Sequence, residues 1–276
     1  MFGILKAARR KKTLERPMPE EWLDHVTEYL PIFDLLSEEE ARGFLHHLRI
    51  LVWEKHWVAA GDFALTERVK VIIAAQGARM ARGLPEDIFD RLSELVIYGE
   101  DFVRPDDDIP GPMLGEAHPF GTVVLSWPAV EESLRYPCVA LNPAIHELAH
   151  ILDMASGYFD GTPVLHRGAD YEVWAEVFTR HFEEKWDRPE ESFLDDYGVA
   201  DASEFFAVTV EAFFDLPDVM AEETPDLFEV LCNYFRITPI AIPCSCESHE
   251  EPEGEDDVEE VGRPFWMPPD PLDGAF

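Results

Sequence analysis

Apolar residues recur at intervals of three and four along most of the chain, which is typical of helices with one buried face. Around Phe44, Leu48 and Leu51 this pattern follows Ser37-Glu38-Glu39-Glu40, a capping box that predicts the start of a helix. In chain order, the segments predicted to be helical are 20–58, 65–83, 85–98, 142–154, 170–186, 203–214 and 217–236, with a short helix or turn at 128–135.

Signals for strands are few and short. Residues 122–127 are rich in β-branched side chains and predict one strand. Residues 104–121, rich in Asp, Pro and Gly, predict a loop, as do residues 189–201. The pattern therefore predicts a mainly α protein with a small β element, of the α+β class.

Both ends of the chain differ in charge from its centre. Residues 1–16 carry six basic side chains and one acidic one, which predicts a frayed basic arm or, alternatively, an interaction arm. Residues 245–276 carry eleven acidic side chains and one arginine, which is typical of a disordered tail. We therefore predict an arm over residues 1–19, a domain over 20–243 and an acidic tail over 244–276.

Net charge excludes several classes of partner. The 276 residues include 57 Asp and Glu but only 22 Lys and Arg, a formal charge of −35. Nucleic-acid binding and docking on anionic membranes both depend on clustered basic side chains, so we expect neither partner. The first residues lack the apolar run of a signal peptide, and the four cysteines form no disulfide framework, so we expect a cytoplasmic protein.

The sharpest chemical motif is His146-Glu147-Leu148-Ala149-His150. On a helix, residues four apart lie on one face, so both imidazoles can bind one metal ion. Glu147 can then act as a general base toward a water molecule at that ion. The alternative is a surface helix with two exposed histidines.

A zinc hydrolase needs a third protein ligand and an open fourth position. Glu204 and Glu211 lie on one face of the predicted helix 203–214, and both are embedded among phenylalanines that favour burial. Either carboxylate is a candidate ligand, and the alternative is an acidic face in solvent. Asp153, three residues after His150, is a candidate to orient a ligating imidazole.

Two segments resemble one known family. Residues 142–154 (NPAIHELAHILDM) and 197–214 (YGVADASEFFAVTVEAFF) are similar to the Mlc titration factor A family of bacterial zinc-dependent peptidases, whose catalytic core is similar to that of anthrax lethal factor. Residues 65–76 and 114–127 agree with it as well, and the resemblance extends over roughly residues 20–240. It implies a zincin-like metallopeptidase core with N-terminal helices.

The resemblance also implies the roles of individual residues. One zinc ion per chain is expected on His146, His150 and Glu204, with Glu147 as the catalytic base. Tyr197 is expected to stabilise the oxyanion, and Glu211 to orient a ligating imidazole.

The implied activity is hydrolysis of short peptides in an aminopeptidase-like manner. In zinc peptidases a strand near the metal often aligns the substrate backbone, and the candidate residues here are Val124, Leu125 and Ser126. His118 stands where the family usually has tryptophan, and is a further candidate ligand or a surface residue. The alternative function is a non-catalytic binding protein that sequesters a Mlc-like transcriptional repressor.

Overall fold

The computed structural model describes residues 2–103, 112–137, 140–188 and 192–242. Its helices in these ranges are α1 (Phe2–Leu14), α2 (Glu21–Tyr29), α3 (Glu38–Glu54), α4 (Glu67–Ala81), α5 (Trp127–Arg135), α6 (Pro143–Asp153), α7 (Asp170–Asp187), α8 (Ala202–Asp215), α9 (Pro217–Glu223) and α10 (Pro225–Phe235). The strands are β1 (His56–Ala59), β2 (Glu94–Tyr98), β3 (Phe102–Val103), β4 (Pro112–Met113), β5 (Gly115–His118) and β6 (Thr122–Ser126). Short 3₁₀ helices lie at Pro31–Leu35, Met154–Ser156 and Asp196–Val199.

Four of the strands form a small mixed sheet beside the helices, so the predicted α+β class is confirmed. Their order is β1-β2-β6-β5, in which β1, β2 and β6 are parallel and β5 runs antiparallel to β6. Strand β6 is therefore internal, and β5 forms one edge of the sheet. Strands β3 and β4 pair separately as a short antiparallel ribbon.

Three helices form the centre of the core. Helix α4 is buried almost all the way round from Val71 to Ala81, as expected for a helix surrounded by other elements. It packs against α6, and α6 packs in turn against α8 and strand β5. One side of helix α6 thus faces the core, and another side faces the edge of the sheet. This packing fixes the direction in which the two histidines of the helix point.

The segment 85–98, predicted as a helix, instead contains turns followed by strand β2. Ile88, Leu92 and Leu95 recur at four and three residues and so imitate a helical face. In the structure this segment pairs on both sides as β2, and alternate residues of β2 are buried because successive side chains of a strand point to opposite faces of the sheet. The same pairing explains why the predicted helical segment 20–58 ends in strand β1.

Two other predicted elements also differ from the structure. The predicted loop 104–121 contains β5, where pairing with β6 organises a sequence with little strand propensity of its own. The predicted helix 217–236 is divided into α9 and α10 before Pro225, because proline lacks the N–H that continues a helix. The predicted strand 122–127 is confirmed, to within one residue, as β6.

The frayed arm predicted for residues 1–16 is wrong, because most of it forms helix α1, which packs against α3. Arg10 is only 4% exposed. Its guanidinium donates hydrogen bonds to the carboxylates of Glu54 and Asp90, both at 2.9 Å. These ion pairs hold the basic helix to the domain.

The division of the chain at residues 19/20 and 243/244 stays a prediction. The acidic segment 244–276 lies outside the described residues. Within the part of the chain that the structure describes, no helix combines the length and the hydrophobicity needed to cross a bilayer.

Burial of His47 on α3 predicts a loss of stability in mild acid. Nε2 donates to the carbonyl of Leu84 at 3.2 Å, and burial lowers the pKa of His47 from 6.5 to about 4. As the pH falls below 6.5, the unfolded chain binds a proton that the folded protein does not accept until about pH 4. The free energy of unfolding should therefore fall across this window, by at most about 3 kcal/mol from this residue.

Urea unfolding at about pH 7 and about pH 4.5 measures this effect. We expect His47→Gln to reduce the pH dependence, because its amide can donate to Leu84 without titrating. The control is His56→Gln, which removes a histidine whose side chain is 72% exposed. Equal pH dependence in wild type and His47→Gln would contradict the prediction.

Candidate metal centre

Helix α6 presents both histidines of the HELAH motif on one face. The side chain of Asn142 caps the helix by accepting a hydrogen bond from the backbone N–H of Ile145 at 3.2 Å, and Pro143 occupies the first turn. The apolar residues of the helix are buried in the core. This burial leaves His146 and His150 facing the start of α8.

Three possible ligand atoms converge between α6 and α8. Nε2 of His146 lies 3.2 Å from Nε2 of His150 and 3.0 Å from Oε2 of Glu204. The distance from His150 Nε2 to Glu204 Oε2 is 3.4 Å. Among the described residues, these three form the cluster of His, Cys, Asp or Glu side chains close enough to share one metal ion.

The other ring nitrogens determine the tautomer of each histidine. Nδ1 of His146 lies 2.7 Å from Oε1 of Glu211, and a carboxylate can only accept, so this Nδ1 carries hydrogen. Nδ1 of His150 lies 3.0 Å from the hydroxyl of Ser203, which donates its own hydrogen to Asp153 at 2.8 Å. This Nδ1 is therefore also the donor. Both Nε2 atoms consequently direct lone pairs toward Glu204 in the neutral rings.

The cluster fits a zinc-sized cation. Three electron-rich atoms that face one another without a hydrogen are stable only with a positive charge among them. In a tetrahedral site with bonds of about 2.0–2.1 Å, ligand atoms are separated by about 3.3 Å. The observed separations of 3.0 to 3.4 Å bracket this value. Two imidazoles and one carboxylate are also a donor set of catalytic zinc sites with an open position.

The charges around the cluster favour a cation as well. Although burial lowers the pKa of His146, the carboxylates of Glu211 and Glu204 raise it well above its ordinary value. Burial raises the pKa of Glu204, but the close ring nitrogens of His146 and His150 outweigh this effect and lower that pKa to about 2. Glu204 therefore stays ionised, and an added positive charge is favoured beside it.

Glu147 is buried next to this cluster, with only 6% of the residue exposed. Burial raises the pKa of Glu147 to about 7, against the lowering effect of His146 and His150. Among the described residues, its carboxylate has no hydrogen-bond partner. A carboxyl group with a pKa near neutrality can both accept and release a proton under ordinary conditions.

Two aromatic rings flank the imidazoles. Tyr197, in the 3₁₀ helix that precedes α8, is half exposed, and its ring centroid lies 6.0 Å from that of His146. The ring centroid of Phe159 lies 6.1 Å from that of His150. Sequence reasoning missed Phe159. Its signal is an aromatic Tyr158-Phe159 pair soon after the HELAH motif.

The strand predicted to align a substrate is not available for that role. Val124, Leu125 and Ser126 belong to β6, whose two edges are paired with β2 and β5. A backbone bound on both sides has no free groups for a peptide. Strand β5, which contacts α6 directly, is the edge strand instead.

Glu211, the second candidate for the third ligand, is not in the cluster but supports it. It is one member of a buried chain of polar groups. Its Oε1 faces His146, and its Oε2 accepts from the backbone N–H of Asn142 at 2.5 Å. The side chain of Asn142 donates to Asp215 at 3.2 Å, and Asp215 pairs with Arg79 at 2.6 Å.

Sequence reasoning missed Arg79, whose signal is a single arginine within the buried run of α4. Its side chain is 1% exposed, as is that of Asp215. The guanidinium also donates to the backbone carbonyl of Phe214. The ion pair thus connects the centre of the core to the imidazole of His146 through Asn142 and Glu211.

Asp153 was predicted to orient a ligating histidine, and it contacts His150 only through the hydroxyl of Ser203. It accepts hydrogen bonds from the backbone N–H groups of Gly161 and Thr162, and it holds the Ser203 hydroxyl that faces His150. His118 is not part of the cluster. Its Nδ1 lies 3.5 Å from Glu116 on the same strand.

Comparison with known proteins assigns this geometry to a family. Residues 5–236 match the sequence profile described as glucose-regulated metallo-peptidase M90. The chain is 28% identical over 245 residues to "Uncharacterized protein slr2042" of Synechocystis, an alignment that covers 84% of this chain and 89% of the relative.

Two further relatives carry a functional name. Mlc titration factor A of Pectobacterium atrosepticum is 27% identical over 241 residues, which cover 80% of this chain and 88% of the relative. Mlc titration factor A of Serratia proteamaculans is 26% identical over 236 residues, with coverage of 80% and 88%. Residues 5–236, which match the family profile, contain the whole cluster, strand β5 and the buried polar chain.

Proposed function

The chain belongs to the glucose-regulated metallo-peptidase M90 family, and on this premise we propose that it is a zinc-dependent peptidase. The observation that carries the proposal is the convergence of three lone-pair atoms beside a buried, unpaired carboxylate. His146, His150 and Glu204 hold the metal, and one zinc ion binds per chain. A zinc ion at this position supplies Lewis acidity, which polarises a carbonyl and makes a coordinated water more acidic.

In this proposal, Glu147 is the general base. It accepts a proton from the attacking water and delivers that proton to the leaving amine, and its pKa of about 7 suits both steps. Tyr197 donates a hydrogen bond to the oxygen that gains negative charge in the transition state. Its position beside His146 and its half-exposed side chain support this role.

We propose that the peptide substrate lies along strand β5. Leu114 accepts a hydrogen bond from Ser126 of β6, which makes these two residues a bonded pair. Bonded and non-bonded pairs alternate in an antiparallel ladder, so the backbone groups of Gly115 and Ala117 point away from β6. Among the described residues no strand pairs with this edge of β5, so these groups can bind an extended peptide.

Edge length and cysteine content support two narrower proposals. The edge of β5 spans only four residues, which suits short peptides, and we propose aminopeptidase-like cleavage of these. Equal cleavage of free and N-acetylated peptides would exclude the aminopeptidase mode.

The few, irregularly spaced cysteines support a cytoplasmic location.

A second candidate function is regulatory. Two of the relatives above are named Mlc titration factor A, which favours binding of a Mlc-like repressor. In that case the metal centre is structural, and the surface of the protein performs its biological role. Substitution of Glu147 by glutamine separates the two functions, because it should abolish cleavage and leave repressor binding intact.

Metal content tests the ligand assignment. We expect about one zinc per chain in dialysed wild-type protein, measured by elemental mass spectrometry. Glu204→Gln should weaken zinc binding by more than about 100-fold, and Glu211→Gln by roughly 10- to 100-fold, because Glu211 only orients His146. The control is Glu222→Gln on the exposed surface of α9. Zinc retained in Glu204→Gln but lost in Glu211→Gln would reverse the assignment.

A further inference from the structure

Gly115, the first residue of strand β5, lies directly against Glu147. A Cβ atom built on Gly115 would lie 2.5 Å from Oε1 of Glu147, 2.6 Å from its Cγ and 2.9 Å from its carboxyl carbon. Real Cβ atoms essentially never approach other atoms to within 3.0 Å. Any other residue at position 115 would therefore compete with the Glu147 side chain for the same space.

Backbone conformation does not explain the glycine. The glycines with positive φ in the described residues are Gly61, Gly121, Gly157 and Gly161, and Gly115 is not among them. Gly115 has a regular strand pairing with Leu125. Alanine can adopt the extended conformation of a strand, and a glycine within a strand makes that strand slightly less stable. The close approach of the Glu147 side chain is therefore the feature that requires glycine at position 115.

We propose that Gly115 is a positioning residue for Glu147. It leaves room for the carboxylate to lie between the backbone of the edge strand and the cluster of His146, His150 and Glu204. This inference rests on the proposed function, in which Glu147 is the base and β5 binds the peptide. The glycine then brings the base next to the backbone groups that hold the substrate.

The variant Gly115→Ala tests this role. The methyl group meets a flexible side chain and no backbone atom within the nearest contacts, so we expect Glu147 to rotate away while the fold persists. The value of kcat for a short peptide should fall at least about 100-fold, as for loss of a general base. The KM and the zinc content should stay within about threefold of wild type, since Glu147 is not a ligand.

A matched control is Gly168→Ala. Gly168 is exposed, and a Cβ atom there would meet nothing within 4 Å, so its activity should equal that of wild type. Wild-type kcat in Gly115→Ala would overturn the inference. So would a crystal structure of Gly115→Ala in which Glu147 keeps its position.

A stability cycle tests the same contact without any assay of activity. Gly115→Ala should lower Tm in the wild-type background but not in Glu147→Ala, because removal of the glutamate leaves space for the methyl group. If Gly115→Ala alone fails to fold, the double variant should still fold. Equal losses of Tm in both backgrounds, or failure of the double variant to fold, would overturn the inference.

The two proposals fail in different ways. If Glu147→Gln hydrolyses peptides at the wild-type rate, the proposed function fails, whatever Gly115→Ala does. If Glu147→Gln is inactive while Gly115→Ala is fully active, the proposed function stands and the positioning role of Gly115 is wrong.

Discussion

Glu147→Gln is expected to lose peptide hydrolysis by roughly 100- to 10,000-fold while it keeps its zinc. The amide has nearly the same size as the carboxylate but cannot accept a proton from water. Zinc binding should persist because the ligand atoms belong to His146, His150 and Glu204. The measurements are kcat/KM on a short peptide and zinc per chain on the same preparation.

The same variant distinguishes an enzyme from a binding protein. If the function is regulatory, Glu147→Gln should retain full binding of a Mlc-like repressor and of zinc, whether or not peptides are cleaved. Glu223→Gln, on the exposed surface of α9, is the control for loss of one negative charge. A wild-type rate of cleavage in Glu147→Gln would exclude the mechanism in which this glutamate is the base.

Arg79→Met is expected to lower the free energy of unfolding by about 3–5 kcal/mol. Arg79 and Asp215 are each 1% exposed, so removal of the arginine leaves an uncompensated charge in the core. Removal of Arg79 should also disturb the metal centre. Asp215 accepts a hydrogen bond from Asn142, and Asn142 donates to Glu211, which orients His146. We therefore expect zinc affinity to fall by roughly 10- to 100-fold.

Two comparisons make this prediction specific. Arg68→Met removes an arginine that pairs with Glu28 at the surface, and should cost less than about 1 kcal/mol. The double variant Arg79→Met/Asp215→Asn should be more stable than Arg79→Met, because the buried charge is gone. Urea unfolding measures all four proteins. A loss in Arg79→Met no larger than that in Arg68→Met would contradict the role assigned to the pair.

Local pattern was sufficient for several elements but not for the sheet. The capping box at Ser37 and the strand predicted at 122–127 depend on neighbours in sequence, and the structure confirms both, the strand to within one residue. Strand β5 has a sequence with little strand propensity, and it is a strand only because β6 lies beside it. Segment 85–98 was mistaken for a helix because its apolar spacing suits a helix as well as a paired strand.

The candidate site divides in a similar way. Spacing alone predicts that His146 and His150 share a face, because four residues make about one turn of a helix. Glu204 and Glu211 share a face of α8 for the same type of reason, and the sequence left both open as ligands until the resemblance to a family favoured Glu204. The structure separates them by distance, since one carboxylate reaches both Nε2 atoms and the other reaches Nδ1.

By itself, the sequence determined the helical character of the protein, its extreme acidity and the pair of histidines on α6. These properties depend on composition or on residues within one or two turns of each other. Only the tertiary structure decided which strand forms the edge of the sheet beside α6, why position 115 is glycine and how Arg79 connects to His146. Those features join residues far apart in the chain, and the packing of α4, α6, α8 and β5 brings them together.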